Sequence, residues 1–149
     1  MHIAQASVRD LDAVAPLFDA YRQFYGQTPD IAAARDFLGQ RMAGSESIIF
    51  LARTKPEGPA AGFTQLYPSF SSASLARVWI LNDLFVAKEA RRQGVARALL
   101  DRAVDFAREY GAIRLTLCTA IDNADAQALY EGAGWVRNES FTYFNFATA

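Results

Sequence analysis

The sequence predicts a single α+β domain with a mixed, mainly antiparallel sheet flanked by helices. Three observations support this fold class. Apolar residues recur at helical spacing in four segments, other segments are apolar or aromatic runs typical of strands, and Gly or Pro separates most of them. The chain has 149 residues, of which 52% are hydrophobic. This is enough to bury the core of one domain over 1–149.

The first part of the chain predicts a strand followed by two helices. The strand is expected over 3–8. Asp10 is placed to cap the first helix and Gly26 to end it. Apolar side chains three and four residues apart place the helices over 11–25 and 31–42.

The rest of the chain predicts five or six strands and two helices. Cys118 lies in one of these strands and is expected to be buried. Together the segments give the order β-α-α-β-β-β-α-β-α-β(-β), in which a strand-helix-strand crossover sits beside antiparallel hairpins. The strands are expected over 47–53, 61–67, 75–86, 113–119 and 135–146 (one or two), the helices over 95–110 and 123–131, and a polar loop over 68–74.

Composition excludes several classes of function. Fifteen basic residues against 16 acidic ones give a net charge of −1, which argues against nucleic-acid or anionic-membrane binding. One Cys and one His make an internal disulfide impossible and a metal site unexpected. No leader-like or membrane-spanning run is visible. A cytoplasmic protein is therefore expected.

The loop before Gly94, at the start of the third predicted helix, is the most informative segment. A strand ending at Val86 runs into a basic loop, and Gly94 opens a helix. Free amides at a helix start favour anions, Gly94 allows close approach of a phosphate, and Arg91 and Arg92 add positive charge. Small Ala96 keeps the first turn uncrowded. From these residues alone, a phosphate site and a solvated basic helix start remain equal alternatives, while P-loop and dinucleotide-fold patterns are absent.

Two motifs resemble the GNAT superfamily of acyl-CoA-dependent N-acyltransferases. Arg91-x-x-Gly94-x-Ala96 matches the signature Gln/Arg-x-x-Gly-x-Gly/Ala at this strand-to-helix junction. Further on, the segment from Asn123 through Leu129-Tyr130 to Gly134-Trp135 is similar to the family's later helix. The two motifs cover 75–135 in the family's order.

The resemblance implies that acetyl-CoA is the co-substrate. It implies that the pyrophosphate lies on the amides of 92–97 and that the backbone of Val86 pairs with the pantetheine arm. Arg92 departs from the Gly found in many members. The cofactor-binding residues expected on this basis are Leu84, Phe85, Val86, Arg91, Arg92, Gln93, Gly94, Val95, Ala96, Arg97, Asn123 and Tyr130.

The resemblance also suggests a proton donor. It places Tyr130 beside the CoA sulfur, where a phenol that is protonated at neutral pH can protonate the departing thiolate. Helical spacing with Ala126 and Leu129 allows Tyr130 to be a packing residue instead. Asn123 can cap its helix and also contact the pantetheine, because the two roles use different atoms.

The general base is less well defined by the sequence. The segment around Asn82-Asp83 resembles diamine and polyamine N-acetyltransferases, which usually have Glu-Asp there. Because Asn82 is no proton acceptor, Asp83 or an ordered water chain is left for the role. A carboxylate satisfied by loop amides is the equal alternative for Asp83. Strand alternation predicts that the two side chains lie on opposite faces of the sheet.

Aromatic residues suggest the acceptor site. Tyr21 and Tyr25 end the first helix, and aromatic rings attract a cationic amine, although helical spacing also fits core packing. Tyr67 and Asn82 complete the expected substrate-binding set.

The predicted activity is direct transfer of the acetyl group of acetyl-CoA to a primary amine, such as a polyamine or a lysine-like metabolite. A protein lysine or N-terminal acetyltransferase and an inactive acyl-CoA-binding sensor are the alternatives. The family suggests a homodimer.

Overall fold

The helices and strands occur in the predicted order, except that no strand follows the last helix. The computed structural model describes all of residues 1–149 and divides into two units, Met1–Cys118 and Thr119–Ala149. One domain over 1–149 stays a prediction. The first unit contains β1 (His2–Gln5), α1 (Leu11–Phe24), α2 (Ile31–Ala43), β2 (Ile48–Arg53), β3 (Ala60–Ser71), β4 (Ala76–Val86), α3 (Val95–Glu109) and β5 (Leu115–Thr116), and the second contains α4 (Ala124–Gly132).

The five strands form one sheet in the order β1-β2-β3-β4-β5. Neighbours from β1 to β4 are antiparallel, and β5 lies parallel to β4. The crossover through α3 makes this last pairing parallel, because the helix returns the chain to the end of the sheet at which β4 began. The predicted α+β class with a mixed, mainly antiparallel sheet is confirmed.

Helices cover both faces of the sheet. Val14 of α1 and Leu38 of α2 are fully buried in one cluster with Phe63 of β3. On α3, the ring of Phe106 lies 5.4 Å from that of Phe50 and 5.1 Å from that of Trp79. Both faces are therefore buried along most of β2 and along the first half of β3, which explains the apolar run of β2. No helix has both the length and the apolar character needed to span a bilayer.

The start of the chain differs from the prediction. The strand expected over 3–8 ends at Gln5, and a 3₁₀ turn follows at Val8–Asp10. Ser7 caps this turn, and its amide donates to the Asp10 carboxylate at 2.9 Å. Asp10 therefore completes a capping box and makes no side-chain cap to α1.

The prediction of a loop over 68–74 is wrong for the first half of this segment. β3 continues to Ser71, which pairs with Ala76, so only the tight turn lies outside the strands. Phe70 pairs directly with Arg77, whose guanidinium lies 4.6 Å from the ring centroid. This cross-strand contact favours continued pairing of a segment that reads as polar in sequence.

The end of the chain also differs. β5 covers only two residues, so Cys118 lies beyond it and is exposed, contrary to the prediction. The closing strands expected over 135–146 are not formed. Four of the five aromatic residues there are 77–91% exposed: Phe141, Tyr143, Phe144 and Phe146. Aromatic strand propensity describes fit to a half-buried sheet surface, and without a paired neighbour it does not create a strand.

Candidate active site

β4 has an unpaired edge over half of its length. β3 pairs with it from Ala76 to Val86, with the exception of Asn82. On the other side, β5 pairs only with Trp79 and Ile80. The backbone from Leu84 to Val86 can therefore accept an extended ligand that carries amide groups of its own.

The helix that follows begins at a left-handed glycine. Gly94 is the N-cap of α3 with φ 78°, and Ala98 makes the first intrahelical bond, donating to the Gly94 carbonyl at 3.0 Å. No atom lies within 4 Å of the position that a Cβ of Gly94 would take. Val95 is buried and fixes the helix start on the core, and half-buried Ala96 follows. The backbone around Gly94 is thus open to an anion at the positive end of the helix.

Side chains of the loop tie it to the end of β4. Arg91 Nε donates to the Val86 carbonyl at 3.2 Å, and its guanidinium lies 5.8 Å from the Phe85 ring centroid. Gln93 Nε2 donates to the Glu89 carbonyl at 2.9 Å. Arg97 pairs with Asp101 of α3 at 2.9 Å. Arg91 therefore shapes the corner in addition to carrying charge.

Gly62 of β3 allows the end of β4 to approach closely. A Cβ at Gly62 would lie 2.7 Å from the Phe85 carbonyl oxygen and 3.2 Å from Val95 Cγ1. Both neighbours belong to the expected cofactor site. A glycine is therefore needed here to hold the strand end against the start of α3.

Arg92 occupies a strained backbone conformation in the same loop. Its φ is 58°, in the left-handed region that glycine adopts without steric penalty. This is the position where the resemblance expects Gly. The loop therefore keeps its shape with an arginine, at an energy cost of about 1–3 kcal/mol.

Replacing Arg92 with Gly is expected to raise the free energy of unfolding by about 1 kcal/mol. The relief of left-handed strain in the folded state outweighs the destabilisation caused by the greater entropy of the unfolded chain. A rise in melting temperature of about 2–4 °C would report this. Arg92→Ala removes the same charge but keeps a Cβ, and should give no such rise. Equal melting temperatures for the two variants would contradict the assignment of strain.

A buried carboxylate lies beside the unpaired edge. Asp83 of β4 is 2% exposed. Gln65 Nε2 donates to its Oδ2 at 2.5 Å, and Asn82 Nδ2 donates to its Oδ1 at 3.0 Å. Side-chain amides satisfy this carboxylate, and the loop amides considered from the sequence have no part in it.

The prediction that Asn82 and Asp83 lie on opposite sheet faces is wrong, since their side chains are hydrogen-bonded to each other. The cause is an irregularity in the β3–β4 register. Gln65 pairs with Asp83, but the next residue, Leu66, pairs with Leu81, so Asn82 is the extra residue of a bulge. A bulge interrupts the alternation of side chains and redirects those on either side of it.

Burial controls the acidity of this cluster. Desolvation raises the pKa of Asp83, and the hydrogen bonds from Gln65 and Asn82, together with the nearby Tyr21 hydroxyl, oppose that rise only in part. Burial raises the pKa of Tyr67 to about 12, and the negative charge of Asp83 adds a smaller contribution. The same two causes, in the same order, raise the pKa of Tyr21. Both phenols therefore stay protonated at neutral pH, and Asp83 is a stronger proton acceptor than an exposed aspartate.

Aromatic rings line the side of this cluster formed by α1. The Tyr21 hydroxyl donates to the Asn82 carbonyl at 3.4 Å, and its ring lies 5.0 Å from that of Tyr25. Phe24 and Tyr25 are 65% and 50% exposed, whereas Tyr21 packs against Phe63 of the core. Tyr21 thus combines core packing with a contact to the carboxylate cluster, and the outer two rings face solvent.

The structure brings most of the predicted substrate and base residues together. Tyr21, Tyr67, Asn82 and Asp83 form one cluster. Sequence reasoning missed Gln65, which touches both Asp83 and Tyr67. The available signal was a lone long polar side chain in the otherwise apolar or small-residue stretch around Phe63. No group of three or more His, Cys, Asp or Glu side chains is arranged to hold a metal ion.

The second unit contains the other two predicted residues. Asn123 caps α4, its Oδ1 accepting from the Ala126 amide at 3.2 Å, as the sequence allowed. Tyr130 is half-buried, with its ring 6.3 Å from that of Trp135. The proposed role of Tyr130 as a proton donor stays a prediction from the resemblance.

A mixed sheet with an unpaired central edge, followed by a glycine-capped basic helix start, defines the acyl-CoA N-acyltransferase class. The model of the acetyltransferase (GNAT) family matches residues 12–135. The chain belongs to this family and is an N-acetyltransferase. Enzymes of the family use acetyl-CoA as co-substrate.

Individual proteins agree with this assignment. The chain is 45% identical over 144 residues to YhfO of Bacillus subtilis (strain 168), named an uncharacterized N-acetyltransferase, covering 97% of this chain and 95% of that protein. It is 39% identical to a probable acetyltransferase of Haemophilus influenzae, over 71% and 72% of the two chains. A crystal structure of a probable acetyltransferase superposes with a TM-score of 0.95 at 47% identity, over 100% of this chain and 99% of that one.

Proposed function

We propose that the enzyme acetylates a primary amine of a small molecule, such as a polyamine or a lysine-like metabolite, with Asp83 as the general base. The buried Asp83 carboxylate, with its raised pKa and its position in the strand that carries the unpaired edge, is the observation that supports this most strongly. A primary amine is mostly protonated at neutral pH and must lose a proton to become a nucleophile. An aspartate with a raised pKa is suited to take it.

The aromatic rings support a cationic acceptor. Tyr21, Phe24 and Tyr25 form a chain of ring contacts 5.0–5.2 Å apart, from the exposed surface to the carboxylate cluster. Aromatic faces attract an ammonium group, and the buried carboxylate provides its final partner. A small cation can follow this path without a large complementary surface, which favours a metabolite over a protein side chain.

The residues present also fit the co-substrate. The unpaired edge at Leu84–Val86 suits an amide-containing arm, and the open backbone at Gly94 suits a pyrophosphate. Bound acetyl-CoA supplies a thioester whose carbonyl carbon is the electrophile. Backbone N–H groups of Leu84–Val86 can stabilise the negative charge on the carbonyl oxygen.

Proton movements complete the proposed reaction. Asp83 takes a proton from the bound ammonium group, and the neutral amine attacks the thioester carbon. The second proton that the nitrogen loses as the new N–C bond forms passes to solvent. The C–S bond breaks, and Tyr130 donates its phenolic proton to the departing sulfur. The products are an N-acetylated amine and free CoA thiol, formed without a covalent acyl-enzyme. The predicted homodimer and cytoplasmic location stay predictions.

The test is acetyl-CoA-dependent thiol release against diamines, polyamines, amino acids, aminoglycosides and a lysine peptide, with mass spectrometry of the products. Turnover of small amines with a mass gain of one acetyl group would support the proposal. Turnover of the peptide alone would support the protein acetyltransferase alternative. Acetyl-CoA binding without any thiol release would favour the sensor, for which Asn82 in place of the usual Glu is the motivating feature.

A further inference from the structure

Gln65 is a polar side chain buried at the centre of the sheet. It is 0% exposed and lies directly opposite Asp83 in the register of β3 and β4. Its Nε2 donates both to Asp83 Oδ2 and to the Tyr67 hydroxyl, the latter at 3.2 Å. One amide nitrogen therefore connects the proposed base to a neighbouring phenol.

The other half of this amide has no partner. Gln65 Oε1 is buried without a hydrogen bond. A buried unpaired acceptor is unfavourable, and an apolar side chain of the same length would fill the site without this penalty. The oxygen is explained if it serves another protonation state of the cluster.

A rotation of the amide by 180° supplies that second state. Ionised Asp83 only accepts hydrogen bonds and requires Nε2 opposite Oδ2, as observed. Protonated Asp83 becomes a donor and requires an acceptor there, which Oε1 provides after rotation. The Tyr67 hydroxyl can accept from Nε2 or donate to Oε1, so it suits both orientations.

The other groups around Asp83 cannot replace Gln65 in this role. Asn82 Nδ2 contacts the opposite oxygen, Oδ1. Tyr21 of α1 also acts on the carboxylate, and is itself influenced by Tyr25 and Cys118. Arg41 of α2 reaches the cluster only through its influence on Tyr67. Among the groups that stabilise the Asp83 charge, Gln65 makes the largest contribution.

We propose that Gln65 is a positioning residue that holds Asp83 in its proton-accepting form and, by rotation of its amide, accommodates the proton that Asp83 receives during acetyl transfer. This inference rests on the proposed function of Asp83 as the base.

The test compares the pH dependence of kcat/KM in wild type and Gln65→Met. Loss of the N–H donor should move the acid limb to higher pH, so that kcat/KM on that limb falls about tenfold, as for loss of one hydrogen bond to a charged group. At high pH, where Asp83 ionises in both proteins, the values should agree within about twofold. In wild type, the Gln65 side-chain amide NMR signals should change across the same limb.

Thr64→Val is the matched control. Thr64 is equally buried in β3, and its hydroxyl donates to the Asp83 carbonyl oxygen at 2.8 Å without touching the carboxylate. This variant should unfold at a lower temperature than wild type yet keep the wild-type acid limb. If Gln65→Met does not fold, isosteric Gln65→Glu serves instead, because a second carboxylate beside Asp83 must also move the limb to higher pH.

The outcomes separate this inference from the proposed function. An unmoved acid limb, or a loss of kcat/KM that is equal at every pH, would overturn the role of Gln65, as would amide signals that do not change. If Asp83→Asn is inactive while Gln65→Met has an unmoved limb, only the inference about Gln65 fails. If Asp83→Asn keeps wild-type activity, the proposed base itself fails.

Discussion

Asp83→Asn is expected to lower kcat/KM for the amine by about 10²–10⁴-fold, the range that a positioned general base contributes. Asparagine keeps the size of the side chain but cannot accept a proton from the amine. The affinity for acetyl-CoA should stay within about twofold, because the change leaves the Gly94 backbone intact. Initial rates at saturating acetyl-CoA, with binding measured by calorimetry, would check both values.

Relative to wild type, Asp83→Asn should become more stable as the pH rises. Burial raises the pKa of Asp83 in the folded state, so its contribution to stability is fully present at low pH and is lost as the pH rises through that pKa. Asp83→Asn should therefore unfold at a higher temperature than wild type at alkaline pH, and the difference should close at acid pH.

Asp19→Asn provides a control of opposite sign. Asp19 is also 2% exposed, but hydrogen bonds from the Asp30 amide, Arg22 and Gln23 lower its pKa. Its contribution is present above its unfolded pKa and is lost as the pH falls through the folded one. Asp19→Asn should therefore destabilise the protein at neutral pH. Full activity in Asp83→Asn, or the same pH trend in both variants, would contradict the role assigned to Asp83.

Tyr130→Phe is expected to lower kcat by about 10²–10³-fold with little change in acetyl-CoA affinity. Phenylalanine keeps the ring and its contact with Trp135 but removes the proton that the departing thiolate requires. Single-turnover rates, together with acetyl-CoA binding, would separate a chemical defect from a binding defect.

Tyr110→Phe is the matched control for this variant. Tyr110 is 64% exposed at the end of α3, and its ring packs on Phe106 at 4.6 Å. Its hydroxyl has no role in the proposed reaction, so the rate should stay at the wild-type value. If Tyr130→Phe also keeps the wild-type rate, Tyr130 is a packing residue, as its helical spacing allowed.

Much of the fold follows from sequence periodicity. α1 and α3 bury residues three and four apart against one sheet, and this pattern is local, so their ranges were predicted within one or two residues. The closing strands over 135–146 were not predictable in the same way. Strand formation depends on pairing with a neighbouring backbone that is often distant in sequence, and the aromatic composition of this segment does not reveal such a neighbour.

The candidate site was likewise predictable only where its residues are contiguous in sequence. The loop at Gly94 could be found because its amides, glycine and charges are contiguous. The pairing of Gln65 with Asp83 joins residues on two strands, and the bulge at Asn82 shifts the register by one position. Neither the cross-strand pairing nor the bulge is visible in a local sequence pattern. Simple strand alternation therefore predicted opposite faces for Asn82 and Asp83, whereas their side chains are hydrogen-bonded to each other.

Carbon-13 NMR of the carboxyl groups, with the Asp83 signal assigned from its absence in Asp83→Asn, would test the central role most directly. If Asp83 is the base, its carboxyl should titrate at higher pH than the exposed aspartates, and its midpoint should coincide with the acid limb of kcat/KM. A carboxyl that titrates with the exposed aspartates, or whose midpoint lies away from that limb, would contradict Asp83 as the group that takes the proton from the amine.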